Sequence, residues 1–347
     1  MDDAGGGRRG LRARPSDELL DMLESSYGIP GTSTMSDLGG SSNLNLLVVA
    51  GRRKLVVRVY RPWVTPARLT DIQHTRRQLA RRGVPCPVPI PASDGGEWTL
   101  VGGRLVEVED YVEHDGHMDT WERVEEGLHV LGRMHTVLAT IGVGTDAKQP
   151  LFANYLAPED VAASVARGVA RIRSWPPTGA EGRLADAAEQ LARHVDELQQ
   201  QCQYRALPRQ LVHGDFWDNN VLYRHEELVC IHDFDHMGER ARIDDVALTL
   251  YFMNAEPGSD IDHDRRRLRL RRLLDAYDAG LQPRLTAAER AALPLAVARQ
   301  PLWSVGGWIA SLDDQRAARA HASGMTTAVE FALGIVRAMP QWQETFA

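Results

Sequence analysis

The chain has 347 residues, 43% of them hydrophobic and 25% charged, with a formal net charge of −7. That length and composition suit a globular body of more than one lobe, and the mild acidity excludes a general affinity for nucleic acid. No apolar run approaches the ~18 residues of a membrane span and no signal-peptide core is present, while Cys86, Cys202 and Cys230 are too far apart for a zinc or disulfide pattern, so the expected compartment is a reducing cytoplasm.

The opening MDDAGGGRRGLRARP offers almost nothing to bury and reads as a mobile tail over 1–16; an anion-binding arm is the alternative. Ser16 is placed to cap a helix through Leu19, Leu20 and Leu23. The small-residue turn 37–43, containing Gly39, Gly40 and Ser41, leads into a strand over 44–50, and a return strand follows over 54–60. Backbone N–H groups of such a turn can approach phosphates closely, although a plain hairpin turn has the same composition. A helix is expected over 66–82. Its arginines, Arg68, Arg76, Arg77, Arg81 and Arg82, read as a solvated face. Gly83 ends it, and the alternating prolines of VPCPVPIPAS make an extended connector at a sheet edge. A hairpin over 98–112 follows.

Beyond this point the pattern is mostly helical. A helix over 120–138 puts Leu128, Leu131, Met134, His135 and Leu138 on one face, where His135 reads as a hydrogen-bonded core histidine. Two amphipathic helices are expected over 158–174 and 180–201. After 252, a helix over 264–280 carries six arginines that read as a solvated face. In the last helices Trp303 reads as packing, while Trp308 suits either packing or a binding site.

The stretch LVHGDFWDNNVLYRHEELVCIHDFDHMGERARIDDVALTLYF, residues 211–252, carries the chemistry. Short strands over 221–223 and 228–234, joined by a polar turn at 224–227, form a hairpin that sets Asn220 beside Asp233. An amide oxygen and a carboxylate are hard ligands suited to Mg²⁺ on nucleotide phosphates. Asp215, one tight loop before Asn220, can accept or orient the proton of an attacking hydroxyl. His213 reads as a brace of that loop, and Asp244 and Asp245 as helix caps.

This series resembles the aminoglycoside phosphotransferase and choline kinase superfamily, a branch of the protein-kinase-like fold. The resemblance rests on His213, Gly214, Asp215 and Asn220, then Ile231, Asp233 and Phe234 with His232 inserted, then Asp245-Val246-Ala247. It implies an α+β, two-lobed fold, with a small β-rich lobe over 17–112 and a larger helical lobe over 113–347. It implies Asp215 as the catalytic carboxylate, and Asn220, Asp233 and Asp235 at the metal. Gly39, Gly40, Ser41 and Arg58 would bind phosphates, Arg58 standing where the family has lysine. Glu109 and Tyr111 would lie at the purine crossing, with His213 and Asp245 as supports. Kinases pair the strand lysine with a helix glutamate. The helix over 66–82 has none, so Asp71 is the expected partner of Arg58, and Gln73 the other option.

The expected activity is Mg²⁺-dependent transfer of phosphate from ATP or GTP to a hydroxyl of a small molecule, by a monomer or homodimer, without nucleic acid or membrane. An antibiotic is the first reading of the acceptor, and homoserine, choline or a sugar the second. A nucleotide-binding pseudoenzyme acting as an interaction module is the rival from another class.

Overall fold

The computed structural model describes residues 12–40, 42–150, 155–176, 178–202, 204–254 and 263–347. Helix α1 (Asp17–Tyr27) begins where the Ser16 hydroxyl accepts from the Leu19 N–H and ends at Gly28 in the left-handed region. Five antiparallel strands follow: β1 (Thr34–Gly39), β2 (Leu44–Ala50), β3 (Arg53–Val59), β4 (Thr99–Val101) and β5 (Arg104–Asp110), in the order β1-β2-β3-β5-β4. Strand alternation turns Leu44, Leu46 and Val48 of β2, Leu55 and Val57 of β3, and Val106 and Val108 of β5 inward, where they pack with Leu19 and Leu23 of α1. The strand β1 has no clear sequence signal, since most of its residues are exposed.

Helix α2 (Pro66–Arg81), capped by Thr65, bridges the two parts of the molecule. Its Leu69 packs with Tyr60 and Leu105 near the sheet, while Ile72 and Leu79 join the helical core. The helix therefore lacks the broad wet face expected for its arginines: Arg68 and Arg76 are buried, and only Arg81 and Arg82 fit that expectation. The proline connector is threaded by hydrogen bonds from Ile90 N–H to Val108 O and from Ile231 N–H to Pro85 O.

The larger part contains β6 (Gly116–His117), α3 (Trp121–Leu138), α4 (Thr145–Lys148), α5 (Val161–Arg173), α6 (Gly179–Gln201), β7 (Arg209–Val212), β8 (Val221–Arg224), β9 (Glu227–Ile231) and β10 (Gly238–Ala241). Then come α7 (Arg242–Asn254), α8 (His263–Gly280), α9 (Ala287–Trp303), a π-helical turn (Ser304–Ile309), α10 (Gln315–Ser323), α11 (Met325–Arg337) and α12 (Met339–Phe346). Strand β10 pairs with β7, and β8 pairs with both β6 and β9. No helix among the described residues is long and apolar enough to cross a membrane.

Helices α3 and α8 touch backbone to backbone at Gly132, where an added Cβ would lie 2.2 Å from the Tyr277 carbonyl oxygen. Gly132→Ala should therefore destabilise the protein by about 1–3 kcal/mol. Gly142→Ala, where a Cβ meets nothing within 4 Å, should be close to neutral. Urea denaturation of both variants checks the pair.

Candidate active site

Strand β7 delivers His213, Gly214 and Asp215 to the floor of the cleft. Gly214 has φ +85°, and a Cβ there would sit 2.1 Å from the His236 carbonyl oxygen, so only glycine fits. The Asp245 carboxylate, in the first turn of α7, accepts from the His213 N–H at 3.0 Å and the Gly214 N–H at 2.9 Å. His213 accepts the Asp215 N–H on Nδ1 at 3.2 Å, so its proton lies on Nε2, 3.0 Å from the His232 carbonyl. Burial pushes this imidazole's pKa down, which favours the neutral ring. His213 thus ties the loop to the end of β9.

The hairpin of β8 and β9 brings Asn220 and Asp233 together, with His232 N–H donating to the Asn220 carbonyl at 3.0 Å. His225 and Glu226 form its tip with positive φ. The second strand is shorter than expected: it stops at Ile231, because Asp233 adopts the left-handed region at φ +66° and a 3₁₀ turn follows over Phe234–His236. Asn220 donates Nδ2 to the Asp215 carbonyl at 2.8 Å and to Oδ2 at 2.9 Å. Its amide oxygen is left as the atom that could ligate a metal. Burial first, and then the charge of Asp233, push the Asp215 carboxyl up to about 8.

On the sheet side, Gly39 and Gly40 have φ of +86° and +107°, while Ser41 lies outside the described residues. Arg12, within the expected tail, donates to Asp37, to the Gly39 carbonyl and to the Asn43 carbonyl. Nothing in the sequence spacing announces this clasp. Tyr111 N–H is committed to the Lys54 carbonyl at 3.0 Å, and Lys54 itself pairs with Glu113 away from the cleft centre.

Arg58 faces the cleft, with Nη1 3.1 Å from Asp233 Oδ1 and Nη2 4.0 Å from Glu109. Asp71 is not its partner. That carboxylate accepts the Gly144 N–H at 2.9 Å on the exposed side of α2. Gln73 does not pair with Arg58 either, but donates to Glu107 at 2.8 Å. The charges are interchanged between elements. Strand β5 supplies Glu107 and Glu109, and α2 supplies Arg76, which donates to Glu107 at 2.6 Å and Glu109 at 2.9 Å. Glu109, expected at the purine crossing, has its side chain buried in this network.

Asp235 is also enclosed. It accepts from Asn43 Nδ2 at 2.5 Å and lies 3.8 Å from Arg61 Nη2, so its carboxylate joins the sheet to the helical body. The cleft has a volume of about 790 Å³. Its far wall is aromatic. Trp217 stacks on Phe252 with centroids 4.8 Å apart, and Trp303 and Trp308 also line it. Trp303, read from sequence as packing, leaves its buried indole N–H without a partner among the described residues.

The interchange predicts a contrast between two carboxylates. Asp71→Ala should leave ATP affinity within about twofold, whereas Glu109→Gln should weaken it by about tenfold, or about 1.4 kcal/mol, because Arg58 and Arg76 lose a shared buried partner. Titration calorimetry with thermal melts as a folding control checks both.

Comparison with known proteins agrees with this architecture. The phosphotransferase enzyme family model matches residues 35–291. Curated relatives include a homoserine kinase of Bradyrhizobium diazoefficiens, 27% identical over 287 residues, which cover 81% of this chain and 80% of the relative. A homoserine kinase of Rhodopseudomonas palustris is 28% identical over the same shares. Among solved structures, a microcompartment-associated aminopropanol kinase superposes with a TM-score of 0.69 at 19% identity, covering 92% of this chain and 97% of the other. An amicoumacin kinase in complex with AMP-PNP and Ca²⁺ gives 0.68 at 15% identity over 93% and 94%. With a kinase-like fold and a family match over most of its length, the chain belongs to the phosphotransferase enzyme family and is a kinase of hydroxyl groups on small molecules.

Proposed function

We propose that the chain transfers the terminal phosphoryl group of ATP or GTP to the hydroxyl of a small amine-bearing metabolite. The observation that carries this is the convergence of Asp215, Asn220 and Asp233 on the floor of a cleft with cations on one wall and aromatic rings on the other. Asp215 is the group that orients or deprotonates the acceptor hydroxyl. Arg58 neutralises the phosphates, and Gly39 and Gly40 let the backbone approach them.

A divalent cation fits this site. Burial and then the charge of Asp233 push Asp215 up, so two carboxylates and the Asn220 amide oxygen converge as hard oxygens that one Arg58 guanidinium only partly offsets. No group of three or more His, Cys, Asp or Glu side chains among the described residues forms a metal cage. That suits Mg²⁺, which one or two protein oxygens hold together with substrate phosphates. Asn220 and Asp233 would hold it, and when bound it would neutralise phosphate oxygens. Asp235, engaged by Asn43, would support the site from behind.

The aromatic wall favours a metabolite over a polycationic antibiotic. Several amines need several carboxylates, and among the described cleft residues the carboxylates gather at the transfer site and the sheet. One compact ammonium group, by contrast, is well served by indole faces. The homoserine kinases at 27–28% identity support the same choice. The likeness to the amicoumacin kinase, at 15% identity, carries the fold alone.

Two measurements test the proposal. A phosphate-transfer screen with ATP and GTP against hydroxy amino acids, amino alcohols, sugars and antibiotics should find turnover in the first two classes; turnover confined to antibiotics would reject the metabolic assignment. With the acceptor in hand, Asp215→Asn should lower kcat by about 10²–10⁴-fold while nucleotide affinity holds. Asp233→Ala should lose the Mg²⁺ dependence of nucleotide binding, and a Mg²⁺ titration identical to that of the parent protein would remove Asp233 from the metal.

A further inference from the structure

Near Asp235 the seam between sheet and helical body holds more buried positive charge than that one carboxylate answers. Arg61, Arg68 and Arg240 are 3%, 2% and 1% exposed. Two of them are better occupied, each leaving only its Nε without a hydrogen-bond partner among the described residues. Arg68 donates to the carbonyls of Asp146, Gln149, Asp235 and Met237. Arg240 donates to the His236 carbonyl and lies over the Tyr155 ring at 4.5 Å. Arg61 is different. Among the described residues its guanidinium has one acidic partner, Asp235 at 3.8 Å, and it lies 5.7 Å from the exposed Trp63 ring. Its Nε and Nη2 are buried without a hydrogen-bond partner among the described residues. His236, 7% exposed, likewise leaves Nδ1 without one. Asn43 takes Asp235 for itself at 2.5 Å, while its Oδ1 accepts the Arg61 backbone N–H at 3.0 Å.

Both Arg61 and His236 line the cleft. The register of β2 on β3 sets Asn45 opposite Arg58 and Leu44 opposite Val59. Arg61 therefore lies past the strand end, at the exit of the glycine turn, three residues beyond Arg58. A guanidinium out of water with unmade hydrogen bonds is costly, and an oxyanion is the group that satisfies its fork. We propose that Arg61 and His236 form an oxyanion subsite at the glycine-turn end of the cleft, distinct from Arg58, which binds either the terminal phosphoryl group or a carboxylate on the acceptor. Both ligands present charged oxygens, which the guanidinium takes as a fork and the imidazole by one N–H. The subsite deepens the proposed function and rests on it.

The test uses the full chain with Mg²⁺ and compares binding of ADP and AMP-PNP, followed by steady-state kinetics with homoserine and with 3-aminopropan-1-ol, which is homoserine without its carboxylate. If the subsite takes the phosphoryl group, Arg61→Gln weakens AMP-PNP by about tenfold or more and leaves ADP within about twofold. If it takes an acceptor carboxylate, both nucleotides keep their affinity and the KM for homoserine rises by about tenfold, while that for the amino alcohol holds. Arg61→Lys, which keeps the charge, should recover most of either loss. Equal weakening of ADP and AMP-PNP overturns the proposal, as does an Arg61→Gln protein with unchanged AMP-PNP affinity and no selective loss with homoserine. A thermal melt confirms folding, and His236→Ala carries the same comparison if Arg61→Gln does not fold. A parent protein that binds neither nucleotide would sink the proposed function and this subsite together, whereas normal binding with a silent Arg61→Gln would sink the subsite alone.

Discussion

The carboxylate of Asp245 holds the floor of the cleft in place. It is fully buried and accepts two consecutive backbone N–H groups, from His213 and Gly214, while His135 Nε2 lies 3.0 Å away. Burial alone would push its pKa up, but the hydrogen bond and charge of His135 hold it down, so the group stays ionised. Charge-assisted bonds of this kind are about twice as strong as neutral ones. Tyr277 of α8 lies 2.8 Å from the other nitrogen of His135. One carboxylate thus joins β7, α3, α7 and α8, and the residue left projecting into the cleft is Asp215.

A second constraint acts from the sheet. A cation on β3 must be held in position without a helix glutamate, and the fold meets this by moving the carboxylates to β5. Arg58 lies between Asp233 and Glu109, and Arg76 of α2 anchors Glu109 and Glu107 together. Tyr60 adds a hydrogen bond to Glu107 at 2.7 Å. Breaking one member of such a buried set leaves an uncompensated charge, which costs far more than loss of a surface pair. The network therefore fixes the height of α2 against the sheet, and with it the position of Arg58.

What the sequence made legible follows from how far apart the partners lie. His213, Asp215 and Asn220 sit within one loop, and the hairpin between Asn220 and Asp233 closes locally through β8 and β9, so their spacing is enough to show that they meet. Arg58 and Asp233 are 175 residues apart, and no periodicity reports that contact. The arginines of α2 mislead a reading of the sequence for a related reason. A helical wheel assigns charged residues to water, but α2 lies between two bodies, and its Arg68 and Arg76 meet carbonyls and carboxylates there. Strand β1 gives no signal in the sequence because its mostly exposed residues lack the alternation that marks a half-buried strand. Composition places Arg12 in a tail, yet one guanidinium fork is enough to bind it to the glycine turn.

The cleft draws each kind of chemistry from a different element. In the proposed function, the sheet contributes cations for phosphate, the β7 loop and the β8–β9 hairpin contribute the transfer groups, and Phe252 of α7 with Trp303 and Trp308 contributes acceptor surface. The transfer groups are fixed by backbone bonds and by Asp245. The aromatic residues are held chiefly by side-chain packing. Substitution of the rings can therefore change which acceptor fits while the loop geometry stands. A shared fold does not fix the acceptor: the kinases of like fold are named for acceptors as unlike as aminopropanol and amicoumacin. In the proposed function the acceptor's identity belongs to the wall of the cleft and the reaction class to its floor, where Gly214 has no room for a side chain.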